Sequence, residues 1–246
     1  MKKNKTLSII IIAYNEEKYI SGILNSLTNQ TIKDFEVIVV DSNSIDNTEI
    51  VAKSFSKNFN AFRYLKLDVT KGPGYGRNQG EKIANYEKLL FLDADTKLNN
   101  DFVERIVIEL IKRKIEVATC PIRIAEKNPI SNIGAYFLNS FMILLKPVYS
   151  SAYGACFIST KEVHSKVNGF DENIAICEDC NYIKKARRLH NINFGILKPY
   201  FYTSDRRAKS YGGLTFMLMY VKIHLYRMFT GQEIMKGKIE YNYGNF

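Results

Sequence analysis

The sequence predicts an α/β fold, a mostly parallel sheet flanked by helices with a C-terminal helical extension, from three observations. Short apolar runs of strand length recur at Leu7–Ile12, Glu36–Val40 and Leu89–Leu92. Helix-period stretches separate them, which is the alternation that right-handed crossovers require. Each run ends in a polar residue: Tyr14, Asp41, and the pair Asp93-Ala94-Asp95. An unpaired carboxylate inside a buried strand is costly, so these residues belong at the carboxyl ends, where open α/β sheets bind ligands.

In order, Leu7–Ile12 is the first strand, and Asn15 suits the N-cap of a helix from about Glu16 to Thr28. The strand ending at Asp41 leads to Asp46 and Glu49, whose spacing is that of a capping box for a helix reaching about Phe55. Asp46 is therefore read as a cap and left out of the site. A short strand spans Phe62–Leu65, and the glycine-rich run from Lys71 to Asn78 feeds a helix through Ala84. After the strand ending at Asp93 come a helix over Asp101–Arg113, a strand over Val117–Cys120 and an apolar helix over Ile133–Leu145. Ala152–Ile158 leads into a strand, and Thr160 caps a helix from Lys161 to Val167 that Gly169 closes. Glu178-Asp179 opens a basic helix through Leu189. A strand pair, Phe194–Leu197 with Tyr200–Thr203, precedes Asp205-Arg206-Arg207.

The chain has 246 residues, 46% of them hydrophobic, and a formal net charge of +10, so it is long enough for one sizeable core and favours an anionic partner. A nucleoside diphosphate, a lipid headgroup surface and nucleic acid all satisfy that charge. Of the four cysteines only Cys177 and Cys180 are close, with no second close pair of Cys or His ligands, which reads as four reduced thiols. Met1 to Lys5 lead straight into a strand without a cleavage site, an expectation of a cytoplasmic protein, in place or on the cytoplasmic face of the membrane. Ile133–Leu145 is too short to span a bilayer, and Lys222, His224 and Arg227 interrupt Gly213–Phe229. The latter reads either as an interfacial amphipathic helix or as a helix packed on the domain. No long linker divides the chain, so residues 1–208 are expected to form one domain, split at about 97 and 98, with 209–246 as the extension.

Two carboxylates on the rim suit a hard divalent cation shared with a phosphate, or a capped loop into the next helix. The wider pattern resembles family 2 glycosyltransferases of GT-A fold over roughly residues 6 to 207. Ile12-Ala13-Tyr14-Asn15-Glu16-Glu17 resembles the family's opening motif, Val40-Asp41-Ser42 its second acidic motif, and Gly76-Arg77-Asn78 with Gly80 its Arg-Asn segment. Asp93-Ala94-Asp95 resembles its DXD metal motif and Cys177-Glu178-Asp179 the Glu-Asp pair that carries its base.

That resemblance implies an inverting hexosyltransferase-like enzyme that moves a sugar from a UDP- or GDP-linked donor to an acceptor hydroxyl on a glycan, a lipid-linked glycan or a protein. Nucleic acid is not an implied partner. Donor binding falls to Ala13, Tyr14, Glu16, Asp41, Arg77, Asp93, Ala94, Asp95, Arg206 and Arg207, with Tyr14 stacking on the base and Asp41 accepting its N–H groups. Arg77 would reach the diphosphate or pack on Asp93, its glycine neighbours letting backbone amides approach a phosphate. Asp95, with Asp93, would hold Mg²⁺ or Mn²⁺. Asp179 is the implied base, with Glu178 as second choice; the other reading of both is helix capping. The chain has no tryptophan and so lacks the Gln-x-x-Arg-Trp motif of processive synthases. Two other classes remain open. A sugar nucleotidyltransferase needs an N-terminal glycine-rich loop, and Ile9–Asn15 has no glycine; a nonenzymatic anion binder needs only the charge.

Overall fold

The computed structural model describes residues 7–237 except 127, 150 and 190, so the reading of Met1 to Lys5 and the last nine residues of the extension lie outside the described residues. The first half runs β1 (Leu7–Ala13), α1 (Ile20–Thr28), β2 (Phe35–Asp41), α2 (Thr48–Ser54), β3 (Phe62–Lys66), α3 (Pro73–Ile83), β4 (Lys88–Asp93) and β5 (Thr96–Lys97). The second runs α4 (Phe102–Arg113), β6 (Val117–Thr119), β7 (Ile122–Ile124), α5 (Pro129–Leu145), β8 (Cys156–Thr160), α6 (Lys161–Lys166), β9 (Ile174–Ile176) and α7 (Glu178–Ala186). It closes with β10 (Phe194–Ile196), β11 (Phe201–Thr203), α8 (Arg206–Tyr211), α9 (Gly213–Thr230) and β12 (Ile234–Met235).

Seven strands form the central sheet in the order β10-β6-β8-β4-β1-β2-β3. Only β8 runs antiparallel to its neighbours β4 and β6. The β1 side chains divide between two layers: Ile9 and Ile11 pack with α1 and α4, while Ile10 joins Ile38, Phe91 and Phe157 on the other face. Burial on both faces explains why these strands read as unbroken apolar runs. Parallel register sets Ala13 opposite Asp41 and Ile12 opposite Asp93, so the polar strand ends share one rim.

Two small sheets build above that rim. In one, β11 lies between β5 and β7, with Thr203 paired to Thr96; in the other, β12 pairs with β9. The expected strand pair over residues 194–203 is thus not a pair: β10 extends the central sheet beside β6 and β11 leaves for the small sheet.

Local caps also differ from expectation. The first helix starts at Ile20, because Asn15 adopts a left-handed φ of 55° and its Oδ1 accepts the Ile45 N–H at 3.0 Å. That bond ties the β1–α1 loop to the β2–α2 loop. The capping box does not form: Asp46 accepts the Thr48 N–H at 3.0 Å, but Glu49 pairs outward with Lys53 at 2.6 Å and Lys66 at 3.1 Å. Thr160 caps α6 as expected, accepting the Val163 N–H at 3.1 Å.

No helix among the described residues is long and apolar enough to cross a membrane. In α9 two of the three bases that interrupt the apolar run turn inward. Arg227 is 5% exposed and its Nε meets Glu233 at 2.6 Å, and His224 Nδ1 is hydrogen-bonded with the Tyr149 hydroxyl at 2.9 Å. Lys222 stays exposed, so the face toward the domain combines these two partnered bases with apolar Phe216, Tyr220 and Ile223, while Leu225, Met228 and Phe229 are exposed.

Candidate active site

A cavity of about 360 Å³ opens at the carboxyl rim, within the range of small-ligand sites. Its floor is the strand ends Ala13, Tyr14, Asp93 and Asp95; its far wall is Glu178 and Asp179 at the start of α7, and α9 covers it with Phe216, Tyr220 and His224. Glu16, Arg77, Ala94, Arg206 and Arg207 also line it. Asp41 does not: it is fully buried behind Ser42, with Oδ1 accepting the Ser44 N–H at 2.9 Å and Oδ2 accepting the Tyr64 hydroxyl. These bonds hold the β2–α2 turn that Asn15 grips.

Arg77 connects the two acidic walls. It is 2% exposed, donating through Nη1 to Glu178 Oε1 at 2.5 Å and through Nη2 to Asp93 Oδ1 at 3.0 Å. A buried guanidinium persists only when paired in this way. The contact with Asp93 is one of the two expected for it. Two of the glycines beside it are needed for packing: a Cβ at Gly80 would collide with Ile10, and one at Gly76 would lie 3.3 Å from Ile12 Cγ2. Asn78 on the same helix accepts the Phe170 N–H and donates to its carbonyl, both at 2.9 Å, clamping the loop before β9.

Asp179 follows Glu178 on the first turn of α7, where Oδ1 accepts the Cys180 N–H at 2.7 Å. Burial, then the neighbouring Glu178 charge, pushes its carboxyl up to about 6, against the opposing pull of Arg77. Gly154 closes over this junction: a Cβ there would lie 2.8 Å from Arg77 Nη2 and 3.2 Å from Asp179 Oδ2.

Arg206 forms the second hub. Pairing of Thr203 with Thr96 brings the start of α8 beside Asp95, and Arg206 Nε lies 3.2 Å from Asp95 Oδ2. Its two terminal nitrogens grip Glu16, one of them at 2.8 Å, and the guanidinium sits 4.6 Å from the Tyr19 ring. Burial raises Glu16 to about 7, with Asp95 and Asp93 adding to the effect against Arg206. Burial likewise pushes Asp95 upward, opposed by Arg206 and Arg207. Lys209 turns away to Asp205 at 2.6 Å.

Three carboxylates, Glu16, Asp93 and Asp95, thus gather at this end of the cavity. Arg77 uses Asp93 Oδ1 and Arg206 approaches Asp95 Oδ2, so each carboxylate keeps an oxygen for a further partner. Hard oxygen donors in a site with excess negative charge fit Mg²⁺ or Mn²⁺. Asp93 and Asp95 are the residues that would hold it.

The pattern of the chain matches that of known proteins. Residues 8–166 match the model of "Glycosyl transferase family 2". The chain is 33% identical over 95 residues to the poly-beta-1,6-N-acetyl-D-glucosamine synthase of Staphylococcus epidermidis, covering 39% of this chain and 23% of that one. It superimposes on S. aureus TarS in complex with UDP with a TM-score of 0.65 at 25% identity, over 81% of this chain and 60% of that one. The fold is shared with the mannosyltransferase PcManGT of Pyrobaculum calidifontis in complex with GDP-Man and Mn²⁺, at TM-score 0.74 and 17% identity, over 93% and 65% of the two chains. The chain spans about a quarter of the curated relatives it matches first, 23% of one and 29% of another. With its mostly parallel sheet, its acidic rim and a family match over most of its length, the chain has a GT-A fold and belongs to glycosyl transferase family 2.

Proposed function

We propose that the protein is an inverting glycosyltransferase that transfers a sugar from a nucleoside-diphosphate sugar to an acceptor hydroxyl. The observation that carries this reading is the pairing of two acidic centres across one cavity, Asp93 and Asp95 on one wall and Asp179 on the other, joined through Arg77. Tyr14 offers its ring to the base at the strand end, with Ala13 beside it. Arg206 and Arg207 supply positive charge for the diphosphate. A divalent cation held by Asp93 and Asp95 would supply charge neutralisation for the departing nucleoside diphosphate.

Asp179 takes the proton from the acceptor hydroxyl on the face opposite the leaving group. A carboxyl raised to about 6 is a stronger base than an ordinary aspartate and still ionised at neutral pH. Glu178 is bound to Arg77 and serves to position it. With one base and no carboxylate engaged as a covalent nucleophile, displacement inverts the anomeric centre.

The acceptor is a glycan, lipid-linked or on a protein, met at the cytoplasmic face of a membrane. Exposed apolar side chains on the adjoining helices α5 and α9 support peripheral contact, among them Tyr136 and Leu144 on one and Phe229 on the other. The helices meet where Phe141 lies 5.8 Å from His224.

The test is release of UDP or GDP from a panel of nucleotide sugars with Mn²⁺, with and without chelator, in the presence of bacterial lipid-linked glycan acceptors. Metal-dependent release with inverted product supports the reading. Absence of turnover together with no thermal shift for any nucleotide would leave only an anion binder.

A further inference from the structure

Cys177 and Cys180 were read as thiols without further ligands, but the fold delivers a third. α9 lies over the start of α7 and places His224, 44 residues after Cys180 in the chain, beside both sulfurs. One ligand atom from each of Cys177, Cys180 and His224 lies within 4.8 Å of the other two. The two cysteines belong to a small apolar cluster with Ile176 and Ile223, so water does not compete at the sulfur side.

We propose that Cys177, Cys180 and His224 form a binding site for a borderline-soft divalent ion of the zinc class, distinct from the hard-oxygen pair Asp93 and Asp95. Two sulfurs and an imidazole are the donor set such ions prefer and that Mg²⁺ and Mn²⁺ do not. Tetrahedral zinc, with bonds of about 2.0–2.3 Å, sets its ligand atoms roughly 3.3–3.8 Å apart, so closure needs side-chain movements of about 1 Å. Binding takes one proton from each thiol, and two thiolates neutralise the ion's charge.

Three independent features support the site. Cys177 occupies a left-handed backbone conformation, φ 66°, where a side chain costs stability that glycine would avoid. The imidazole is oriented from behind: Tyr149 bonds His224 Nδ1 at 2.9 Å, and Arg227 donates to the same hydroxyl at 2.7 Å. Metal-ligating histidines carry such outer partners. Finally, Cys177 and His224 both line the cavity, so a fourth coordination position faces the space beside Asp179. An ion there joins α9 to α7 next to the carboxylate read above as the base, although the site itself does not depend on that reading.

The experiment uses the full chain, reduced, stripped with chelator and dialysed against Co²⁺. One equivalent of cobalt with an intense near-ultraviolet thiolate-to-metal band is expected, displaced by Zn²⁺ and untouched by excess Mg²⁺. C180S should abolish the band, and H224Q should weaken cobalt binding at least tenfold. C177G fits the left-handed backbone, keeps the fold, and should also lose the band; zinc should raise the melting temperature of the natural chain and not of this variant. No thiolate band with the reduced chain, binding unchanged in H224Q, or a Cys177–Cys180 disulfide that persists under the reductant would overturn the proposal. Loss of sugar transfer by the metal-free protein bears on the glycosyltransferase reading alone, because cobalt binding is read without substrate.

Discussion

Arg77 holds Glu178 at 2.5 Å across a separation of 101 residues, so a side chain from the donor half of the sheet fixes the start of the helix that carries Asp179. The same guanidinium holds Asp93 at 3.0 Å. Removing either partner changes the charge balance of both walls.

Replacing Arg77 by methionine should therefore cost about 3–5 kcal/mol, because two carboxylates lose a buried partner. Chemical denaturation measures it, and a loss below about 1 kcal/mol would show that Asp93 and Glu178 resolvate freely. Glu178→Gln keeps one hydrogen bond to Arg77 and should cost less.

Asp179→Asn should lower kcat/KM by about 10²–10⁴ while leaving donor affinity intact. Glu178→Gln should lower it by less, since that side chain positions Arg77. The natural protein should show an acid limb of activity with an apparent pKa of about 6. An acid limb near the ordinary aspartate range would remove Asp179 as the base.

The same carboxyl predicts a stability effect of definite sign. Because its folded pKa is raised, the native state binds more protons than the unfolded chain between about pH 4 and pH 6. Stability contributed by this group is present at low pH and falls as pH rises through that window. Asp179→Asn should gain stability relative to the natural chain on going from pH 4 to pH 7, by roughly 2 kcal/mol. Melting curves of the two proteins across that range test it.

Asp95→Asn should weaken nucleotide-sugar binding in Mn²⁺ at least tenfold and shrink the effect of chelator. Arg206→Gln should act differently, releasing Glu16 and Asp95 together and lowering stability by about 2–4 kcal/mol. Titration calorimetry with and without Mn²⁺ separates a ligand-binding loss from a folding loss.

Phe137→Asp with Phe229→Asp should reduce sedimentation with vesicles containing anionic lipid at least fivefold without lowering the melting temperature, as both side chains are exposed. Unchanged sedimentation would end the peripheral-contact reading.

The strands and the acidic rim were legible because they are local. A β-branched run ending in aspartate says where its carboxylate lies, and the register Ile12–Asp93 and Ala13–Asp41 follows from parallel pairing. Side chains brought in by distant pairing were not legible. Arg206 reaches Asp95 only because β11 pairs with β5, and nothing near residue 206 signals that contact. The segment of His224 and Arg227 read equally as an interfacial helix and as one packed on the domain, because hydropathy does not say which way a helix faces; Tyr149, 75 and 78 residues away, turns both side chains inward. Asn15 looked like a cap because its residue type suits both an N-cap and a left-handed turn, and only Ile45 decides between them.

Gly154 has so far been a clearance beneath which Arg77 and Asp179 approach. It is also a ruler. Because a single added carbon would meet Arg77 Nη2 at 2.8 Å and Asp179 Oδ2 at 3.2 Å, the span between the two acidic walls is set by an atom that is missing. Alanine at this position would push Arg77 or Asp179 aside and carry the base with it, so the tolerance of position 154 to one added carbon measures how closely that spacing must be held.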